Sequence, residues 1–326
     1  MDHLFDAQQA AIGFLTPQYY NLEQTIYLQK FPSFDYASFV PVVTEGNEWA
    51  QGTLFYSGDI TGQAQFLAAN GFDMPYADLS REQHLHQFHM AGIGYEWNLQ
   101  EINQARLAGI DMPSDKAMAA RRVWEQFMWN ITMTGKRSAS DSTSEKAWTG
   151  LINDATVTAA DVAADGTGSV TWWADKTPAQ ILRDVNDAIA SITTTTNEVE
   201  YADTVLLPFG EYQRIANLPV GTASDTTILS FLLRNNVYTA STGRPLMIKS
   251  LRGLATADPG GDGRMVVYRR DPEVLRLHIP MPHRFLPPYQ KASMVWEVAG
   301  IGRTGGLEIR LPKAIRYADG IVDTTP

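Results

Sequence analysis

Three histidines between residues 84 and 89 are the side chains of this sequence best suited to binding a metal ion. His84 and His86, with Glu82, share one face if the segment is a strand, and His89 follows closely. Zinc is commonly bound by imidazole and carboxylate groups. Ligands two residues apart on a strand are separated by about 7 Å, however, and so do not converge on one ion. We therefore expect half-exposed strand histidines and no metal site.

A glycine-rich segment near the C-terminus matches the dinucleotide-binding fingerprint letter for letter. Gly300, Gly302 and Gly305 have its spacing, but the motif binds pyrophosphate only when a strand precedes it and a helix follows. The residues that follow, 307–312, alternate as a strand does and end in a proline. We predict a glycine-rich turn between two strands and no nucleotide cofactor.

Other catalytic patterns are absent or have a structural explanation. The Asp-Lys-Thr segment at 175–177 resembles the start of a phosphorylated-aspartate motif, but Pro178 stands where that motif needs glycine. The sequence has neither a Gly-x-Ser-x-Gly elbow nor a Gly-x-x-x-x-Gly-Lys-Ser/Thr loop. The carboxylates of Asp184 and Asp187 are expected on the outer, solvated face of their helix. We therefore predict that the protein is not an enzyme and needs no cofactor.

The elements that hold these residues follow from side-chain periodicity. Residues 114–134 have apolar side chains at helical spacing between a Ser114 cap and Gly135, which predicts the longest helix. Thr177, Pro178 and Gln180 predict the start of another helix. Shorter helices are predicted after Asn98 as far as Gly109, at 212–216, and at 226–234 with Ser224 or Asp225 as the cap. Strands are predicted at 91–99, 204–207, 246–251, 265–268, 274–279, 294–298 and 307–311.

Charge is unevenly distributed along the 326 residues, whose net charge is −10. Residues 1–105 contain 12 acidic and two basic residues, whereas residues 244–326 contain 13 basic and eight acidic ones. These parts either neutralise each other, within one molecule or between copies, or form an ordinary solvated surface. Because affinity for phosphate grows with the number of cations offered, the net charge argues against a sequence-reading DNA-binding protein.

Composition also indicates the compartment and the character of the N-terminal part. The sequence has no cysteine, no apolar run of transmembrane length and no signal-peptide pattern at its start. We expect a protein of a reducing compartment that is neither secreted nor embedded in a membrane. Residues 1–45 combine prolines and aromatic residues without a regular period, which is typical of an arm that packs on something else. Residues 46–80 are expected to form a long hairpin-like excursion.

Several short segments occur in an order shared with a known family. They are TPAQILRDVN at 177–186, TVLLP at 204–208, SDTTIL at 224–229, YRRDPE at 268–273, IPMP at 279–282, LPP at 286–288 and RTGG at 303–306, preceded by LQE at 99–101 and AARR at 119–122. Each segment is weak alone, but their shared order is fairly specific. From about residue 85 to 316 the sequence resembles the major capsid proteins of tailed bacteriophages, in the branch related to encapsulin shells.

The resemblance implies an α+β architecture, the HK-ninety-seven-type phage capsid fold. It divides the chain into an N-terminal arm at 1–45, an extended loop at 46–80, a peripheral domain at 81–150 with a spine helix at about 114–134, an axial domain at 151–270, and C-terminal strands of the peripheral domain at 271–326. The loop at 255–263 and the turn at 219–221 are then candidates for the centre of a capsomer.

The resemblance also implies a function and partners. The protein is expected to assemble with itself as hexamers and pentamers into an icosahedral shell around double-stranded DNA. The shell forms in the host bacterial cytoplasm and becomes part of the virion. Other expected partners are a portal protein, a separate scaffolding protein, a possible decoration or cement protein, and packaged DNA without sequence-specific contact; no membrane is involved. Scaffolding is expected to be separate because the spine helix begins near Ser114, which leaves no room for a cleaved N-terminal segment.

Two groups of residues are predicted to make contacts between subunits. Aromatic anchors come from the arm and the extended loop, and basic residues would receive the acidic first third of a neighbour. They are Tyr20, Trp49, Phe55, Arg269, Arg270, Arg310 and Arg316. Residues 46–80 contain no lysine, whereas some relatives crosslink through a lysine there, so a non-covalent shell is expected. Two alternatives stay open: an encapsulin-like protein compartment, and a metal- or nucleotide-dependent enzyme.

Overall fold

A computed structural model of the chain describes residues 34–44, 46–66, 74–107, 109, 111–138, 140, 148–221 and 225–323. Most of the predicted arm, including Tyr20, and the predicted cap Ser224 lie outside the described residues. The described helices are α1 (Leu99–Leu107), α2 (Met112–Thr134), α3 (Pro178–Thr195), α4 (Phe209–Asn217), α5 (Ile228–Arg234) and α6 (Val237–Thr242). None of them is long and apolar enough to cross a membrane.

Sixteen described strands accompany these helices. They are β1 (Val42–Val43), β2 (Gly52–Thr61), β3 (Asp78–Gln87), β4 (His89–Gly92), β5 (Tyr95–Asn98), β6 (Thr158–Asp161), β7 (Thr204–Leu207), β8 (Met247–Ser250), β9 (Arg264–Tyr268), β10 (Leu275–His278), β11 (Met281–Phe285), β12 (Tyr289–Ala292), β13 (Val295–Val298), β14 (Gly300–Thr304), β15 (Gly306–Ile309) and β16 (Ile315–Asp319). The expected mixture of helices and sheets is therefore present.

The long helix α2 forms where periodicity predicted it. It begins at Met112, two residues before the predicted start, so the predicted Ser114 cap is wrong: Asp111 occupies the cap position and Pro113 lies in the first turn. The helix ends at Gly135, whose φ of 70° requires no strain in glycine. The Gly135 N–H donates to the carbonyl of Ile131. Trp124 and Met128 are buried on the helix face that packs against the rest of the fold. This helix is the structural axis expected from the sequence.

A five-stranded sheet, in the order β6-β16-β9-β7-β8, separates two hydrophobic clusters. Leu206 and Val266 belong to the cluster that contains the buried residues of α2. Their neighbours Val205 and Val267 belong to the cluster that contains the buried face of α3. Because successive strand side chains point to opposite faces, a continuous apolar run is required when both faces are covered. β16 pairs with β9 in this sheet, although it lies at least 45 residues after residue 270, the end of the predicted axial segment.

Local capping sets the start of several helices. The Thr177 N–H donates to Gln180 Oε1 at 2.7 Å, so the predicted start of α3 is confirmed. Asn98 Oδ1 accepts from the Glu101 N–H at 2.6 Å and so caps α1. The predicted cap of α5 at Ser224 or Asp225 is wrong. Thr227 is the cap, since the helix begins at Ile228 and the Thr227 hydroxyl accepts from the N–H of Ser230.

The predicted strand at 91–99 is in fact two strands in two different sheets. β4 pairs with β14, whereas β5 pairs with β13. The chain changes sheets at Ile93 and Gly94, where a Cβ on Gly94 would lie 2.5 Å from the Val298 carbonyl oxygen. The alternating pattern continues through the break because both short strands are half-buried. Periodicity alone therefore could not detect the change of partner.

The predicted turn at Gly300–Gly305 is also corrected. Residues 300–304 form strand β14, between β11 and β4, and only Gly305 lies between β14 and β15. Gly302 packs under helix α2, where a Cβ would come within 2.7 Å of the Trp124 ring. Gly302 thus allows a close approach of helix and sheet, and a Cβ on Gly300 would come within 2.3 Å of the Ile93 carbonyl oxygen. The expectation that no helix follows the motif is confirmed.

Candidate functional site

The most prominent surface feature is the antiparallel hairpin formed by β2 and β3, each ten residues long. The register pairs Gly52 with Gln87 and Thr61 with Asp78. A hairpin is therefore present as expected, but its second strand continues to Gln87, beyond the predicted end of the excursion at residue 80. The connecting residues that are described, including Phe66, Met74 and Tyr76, have exposed side chains.

One face of the hairpin is open to solvent and mainly apolar, with Gln83 opposite Tyr56 and Arg81 opposite Gly58 as its polar members. Directly paired residues of an antiparallel ribbon share a face, and the pairs Leu54–Leu85 and Ile60–Leu79 lie on the same face as Tyr56. These five side chains are between 44% and 78% exposed. Several large apolar side chains exposed on one face, with polar residues among them, mark an interaction site. This face could not be predicted from the sequence, because the spacing of residues within one strand does not show how β2 pairs with β3 across a long connection.

The opposite face of the hairpin is polar. It carries Ser57, whose hydroxyl is hydrogen-bonded to His84 Nε2 at 2.8 Å. The His84 ring stacks on Phe55 with 4.9 Å between ring centroids. The hairpin is therefore an amphipathic ribbon with Ser57 and His84 hydrogen-bonded to each other on its polar face.

The hairpin is attached to the body at its base. The His86 Nε2 lies 2.8 Å from the Gly305 carbonyl oxygen, and the Arg310 guanidinium lies over the Phe55 ring at 4.1 Å. Beside them, His278 Nε2 and Glu308 Oε2 form a buried pair at 2.6 Å. One contact comes from each strand of the hairpin, so the base is bound while the rest of the ribbon extends outward.

The three histidines of the predicted cluster have separate partners. His84 and His86 lie on β3 and His89 on β4, and all three are half-buried strand residues, as predicted. His84 stacks on Phe55 of the hairpin, whereas His89 lies near Trp148, 5.3 Å between ring centroids. Across the described part of the chain, no three His, Asp or Glu residues are arranged to hold a metal ion.

The predicted solvation of Asp184 is wrong. Its carboxylate is buried and accepts from Lys176 Nζ at 2.6 Å and from Trp173 Nε1 at 3.2 Å. Arg183 donates to its second oxygen at 2.8 Å, whereas the side chain of Asp187 is 72% exposed. The difference arises because Trp173 and Lys176, just before α3, fold back over its inner face. This network is structural, and nothing about it indicates catalysis.

Most of the described contact residues predicted from the sequence have partners within the chain. Arg269 is paired with Glu200, and with Asp271 at 3.2 Å. Arg310 is paired with Glu308 at 3.1 Å. Trp49 is exposed, and its ring lies 6.0 Å from the Arg303 guanidinium. Arg270 donates to the Ala37 carbonyl at 2.8 Å. Arg316 is half-buried on β16. Their role between subunits stays a prediction.

Ion pairs within one molecule join the acidic first third to the basic last quarter. Glu48 contacts Arg284 at 3.2 Å, and Glu96 contacts Lys291 at 3.3 Å. All four side chains are well exposed, so each pair adds little to stability. Part of the charge asymmetry is thus neutralised inside the subunit.

A buried histidine makes the stability of the subunit depend on pH. His283 stacks on Trp124 at 4.6 Å, and burial lowers its pKa below the ordinary value. Burial also lowers the pKa of His86. The unfolded chain therefore takes up these protons first as the pH falls. Arg183 lowers the pKa of Asp165 to about 2, so the contribution of Asp165 to stability is lost only at far lower pH.

We expect the melting temperature to be constant down to about pH 6.5, the ordinary histidine pKa, and to decrease below it. Thermal unfolding between pH 8 and pH 5 measures this dependence. His283→Phe keeps a ring on Trp124 and should make the melting temperature fall less steeply with decreasing pH. His86 is still present in this variant, so part of the fall should remain. An identical slope in the variant and the parent protein would contradict the assignment to His283.

Comparison with known proteins identifies the fold. The family model of the major capsid protein matches residues 62–321, while no curated protein matches significantly. The capsid of Myoviridae phage XM1 is similar with a TM-score of 0.77 and 18% identity, covering 93% of this chain and 97% of that chain. The capsid of a native GTA particle has a TM-score of 0.59 and 10% identity, covering 96% and 99%. A virus-like particle from Pyrococcus furiosus has a TM-score of 0.51 and 10% identity, covering 86% and 91%.

The long helix under a strand platform, the two-stranded hairpin and the sheet between two cores define an HK-ninety-seven-type phage capsid fold, as expected from the sequence. Because the family model spans most of the sequence, the chain belongs to the major capsid protein family. Members of this family are structural components of the virion capsid.

Proposed function

We propose that this protein assembles with itself as hexamers and pentamers into an icosahedral shell that encloses double-stranded DNA. The observation that carries the proposal is the exposed apolar face of the hairpin, formed by Leu54, Tyr56, Ile60, Leu79 and Leu85. Within the described residues, this face is not covered by the rest of the subunit. In a shell, a neighbouring subunit covers it and gains the free energy of removing apolar surface from water.

The proposal assigns roles to the segments of the chain. The arm at 1–45 and the extended loop at 46–80 reach neighbouring subunits, and the peripheral segments at 81–150 and 271–326 flank an axial segment at 151–270. Trp49 suits a contact between subunits, because its indole ring is largely exposed beside Arg303. The turn at 219–221 and the loop at 255–263 face the centre of a capsomer in this arrangement.

The net charge of −10 suits a container for DNA. Strong attraction between the wall and phosphate would hinder movement of the packaged polymer. DNA is then held by enclosure, without sequence-specific contact. A portal protein and a separate scaffolding protein complete the particle, with a decoration protein as an optional addition, and the particle assembles in the bacterial cytoplasm.

Electron microscopy of the purified protein, with its mass from light scattering, tests the proposal. Closed icosahedral particles, or rings of five and six subunits, are the expected result. Nuclease treatment of opened particles then separates DNA from protein cargo, and protein cargo alone would establish a compartment shell instead. A homogeneous monomer or dimer that stays small with candidate scaffolding protein would overturn the shell assignment.

The shell is expected to be held together without covalent bonds between subunits. Residues 46–80 contain no lysine, so the extended loop cannot supply the amine of an isopeptide bond. Boiled particles on a denaturing gel should give one band near 36.1 kDa. Particles treated with an amine-reactive crosslinker are the positive control, which shows that covalent multimers are visible on the same gel. A ladder of multimers in untreated particles would refute this expectation.

A further inference from the structure

Arg310 connects the hairpin to a buried charge pair in the body. Its Nε lies 3.1 Å from Glu308 Oε2, which also contacts His278 Nε2 at 2.6 Å. Glu308 and His278 are both buried. The other side of the Arg310 guanidinium covers the Phe55 ring of β2 at 4.1 Å. One side chain thus contacts both the fixed body and the first strand of the hairpin.

His86 makes the corresponding contact from the second strand. Its Nε2 lies 2.8 Å from the Gly305 carbonyl oxygen, and since a carbonyl only accepts, Nε2 is the donor. The His86 ring also lies 5.2 Å from the His278 ring. The two attachment points are therefore on adjacent strands at one end of the ribbon, close to the same buried pair.

Contacts at one end of a long ribbon affect the position of its other end, and here the two side-chain contacts act together with the backbone bond from the Phe88 N–H to the Gln51 carbonyl at 2.8 Å. A strand rises about 3.4 Å per residue, so ten residues span about 30 Å and a rotation of about 10° at the base moves the far end by about 5 Å. A displacement of this size is larger than the distance over which apolar side chains stay in contact. The orientation of the apolar face therefore depends on the base.

We propose that Arg310 and His86 are positioning residues that hold the hairpin at one angle to the body, so that its apolar face meets a second copy of this chain. This inference rests on the proposed function, because the second copy is the occupant of that face. It gives Arg310 a role inside the subunit, whereas the sequence resemblance placed it directly between subunits. Its geometry suits the internal role, because one guanidinium is paired with Glu308 and also lies over the Phe55 ring.

Hydrogen exchange of the full-length, unassembled chain tests the inference. Arg310→Met keeps an unbranched apolar stem but removes the ion pair and the cation–π contact. Exchange of hairpin amides near the base is expected to accelerate about tenfold, the effect of losing one partly buried cation–π contact. Amides of β9, in the buried sheet, should keep their rates. Arg316→Met, which removes the same charge from β16, is the matched control and should leave the hairpin unchanged.

A second substitution separates positioning from general destabilisation. Phe55→Leu removes the ring and leaves the ion pair between Arg310 and Glu308 in place. Because the buried charges stay paired, this variant still tests the contact if Arg310→Met fails to fold. Hairpin exchange should accelerate by a similar factor. The double variant should be no faster than the faster single variant, because both remove the same contact. Fully additive effects, or hairpin rates unchanged in both single variants, would overturn the inference.

Particle formation by the same variants distinguishes this inference from the proposed function. If the hairpin loosens and particle yield decreases, both are supported. If hairpin amides exchange faster but particles form normally, assembly does not require the hairpin to be held at one angle to the body, and the inference is rejected. A parent chain that forms no particles would reject the proposed function, while the exchange result would still decide whether Arg310 holds the hairpin.

Discussion

Replacing Ile60 and Leu85 with lysine should abolish shell assembly while the subunit stays folded. Both side chains belong to the apolar face of the hairpin and are 78% and 62% exposed, so the isolated subunit loses little packing. In the shell, each would be buried against a neighbour, and burial of one such side chain contributes about 1.5–3 kcal/mol. A buried unpaired ammonium adds a further penalty. We expect association to weaken at least about 100-fold through the loss of two such contacts.

The matched control places the same charges on the other face of the ribbon. Ser57→Lys with Ser80→Lys adds two positive charges, and each new lysine lies opposite an acidic residue, Glu82 and Asp59 respectively. Sedimentation and electron microscopy measure particle yield, and circular dichroism reports the fold. The control should assemble nearly as the parent does. Equal yields from the two double variants would show that the apolar face is not the assembly surface.

Replacing Asp184 with alanine should be the most destabilising change of a single carboxylate in the described network. The side chain of Lys176 is completely buried, and Asp184 is its nearest partner. Removing one member of a buried ion pair leaves an uncompensated charge and typically costs about 3–5 kcal/mol of unfolding free energy. Asp165, 3.5 Å from Lys176 Nζ, compensates for only part of this loss. Denaturant unfolding of the dispersed subunit measures the change.

Asp187→Ala is the control for this prediction on the same helix. Asp187 is one turn away from Asp184 on an exposed surface, and its contact with Arg183 is long, at 3.8 Å. The expected change is below about 0.5 kcal/mol, as for other exposed positions. Lys176→Met combined with Asp184→Leu should recover most of the stability lost by Asp184→Ala, because it leaves no charge buried. Equal effects of the two alanine substitutions would refute the distinction.

Several elements whose signals are local agree with the sequence-based predictions, whereas the caps predicted for α2 and α5 do not. The capping residues Thr177 and Gln180 are three positions apart and act within one helical turn, so α3 begins where they indicate. Gly135 ends α2 for the same reason, since only its own backbone conformation is involved. The apolar runs at 204–207 and 265–268 became buried strands because both faces of their sheet are covered.

Elements whose partners are distant in sequence were predicted less well. The alternation at 91–99 gave no indication that β4 and β5 belong to different sheets, because the partners β14 and β13 are 200 residues later. The glycines at 300 and 302 indicated a turn, yet their small size serves close contacts of β14, including the one with Trp124. A glycine needed for close packing and a glycine needed for a turn are identical in a sequence.

The sequence by itself predicted most of the described helices, the buried strands β7, β9 and β10, the presence of a hairpin, and the capsid resemblance, but not α6, β11 or β14. Only the tertiary structure decided that Leu54 and Ile60 face outward together with Leu79 and Leu85, since this depends on the register between two strands. It also separated Asp184 from Asp187, and it placed Arg310 against Phe55. The reason is physical: helix caps and periodicity act within a few residues, whereas burial and ion pairing depend on parts of the chain that meet only after folding.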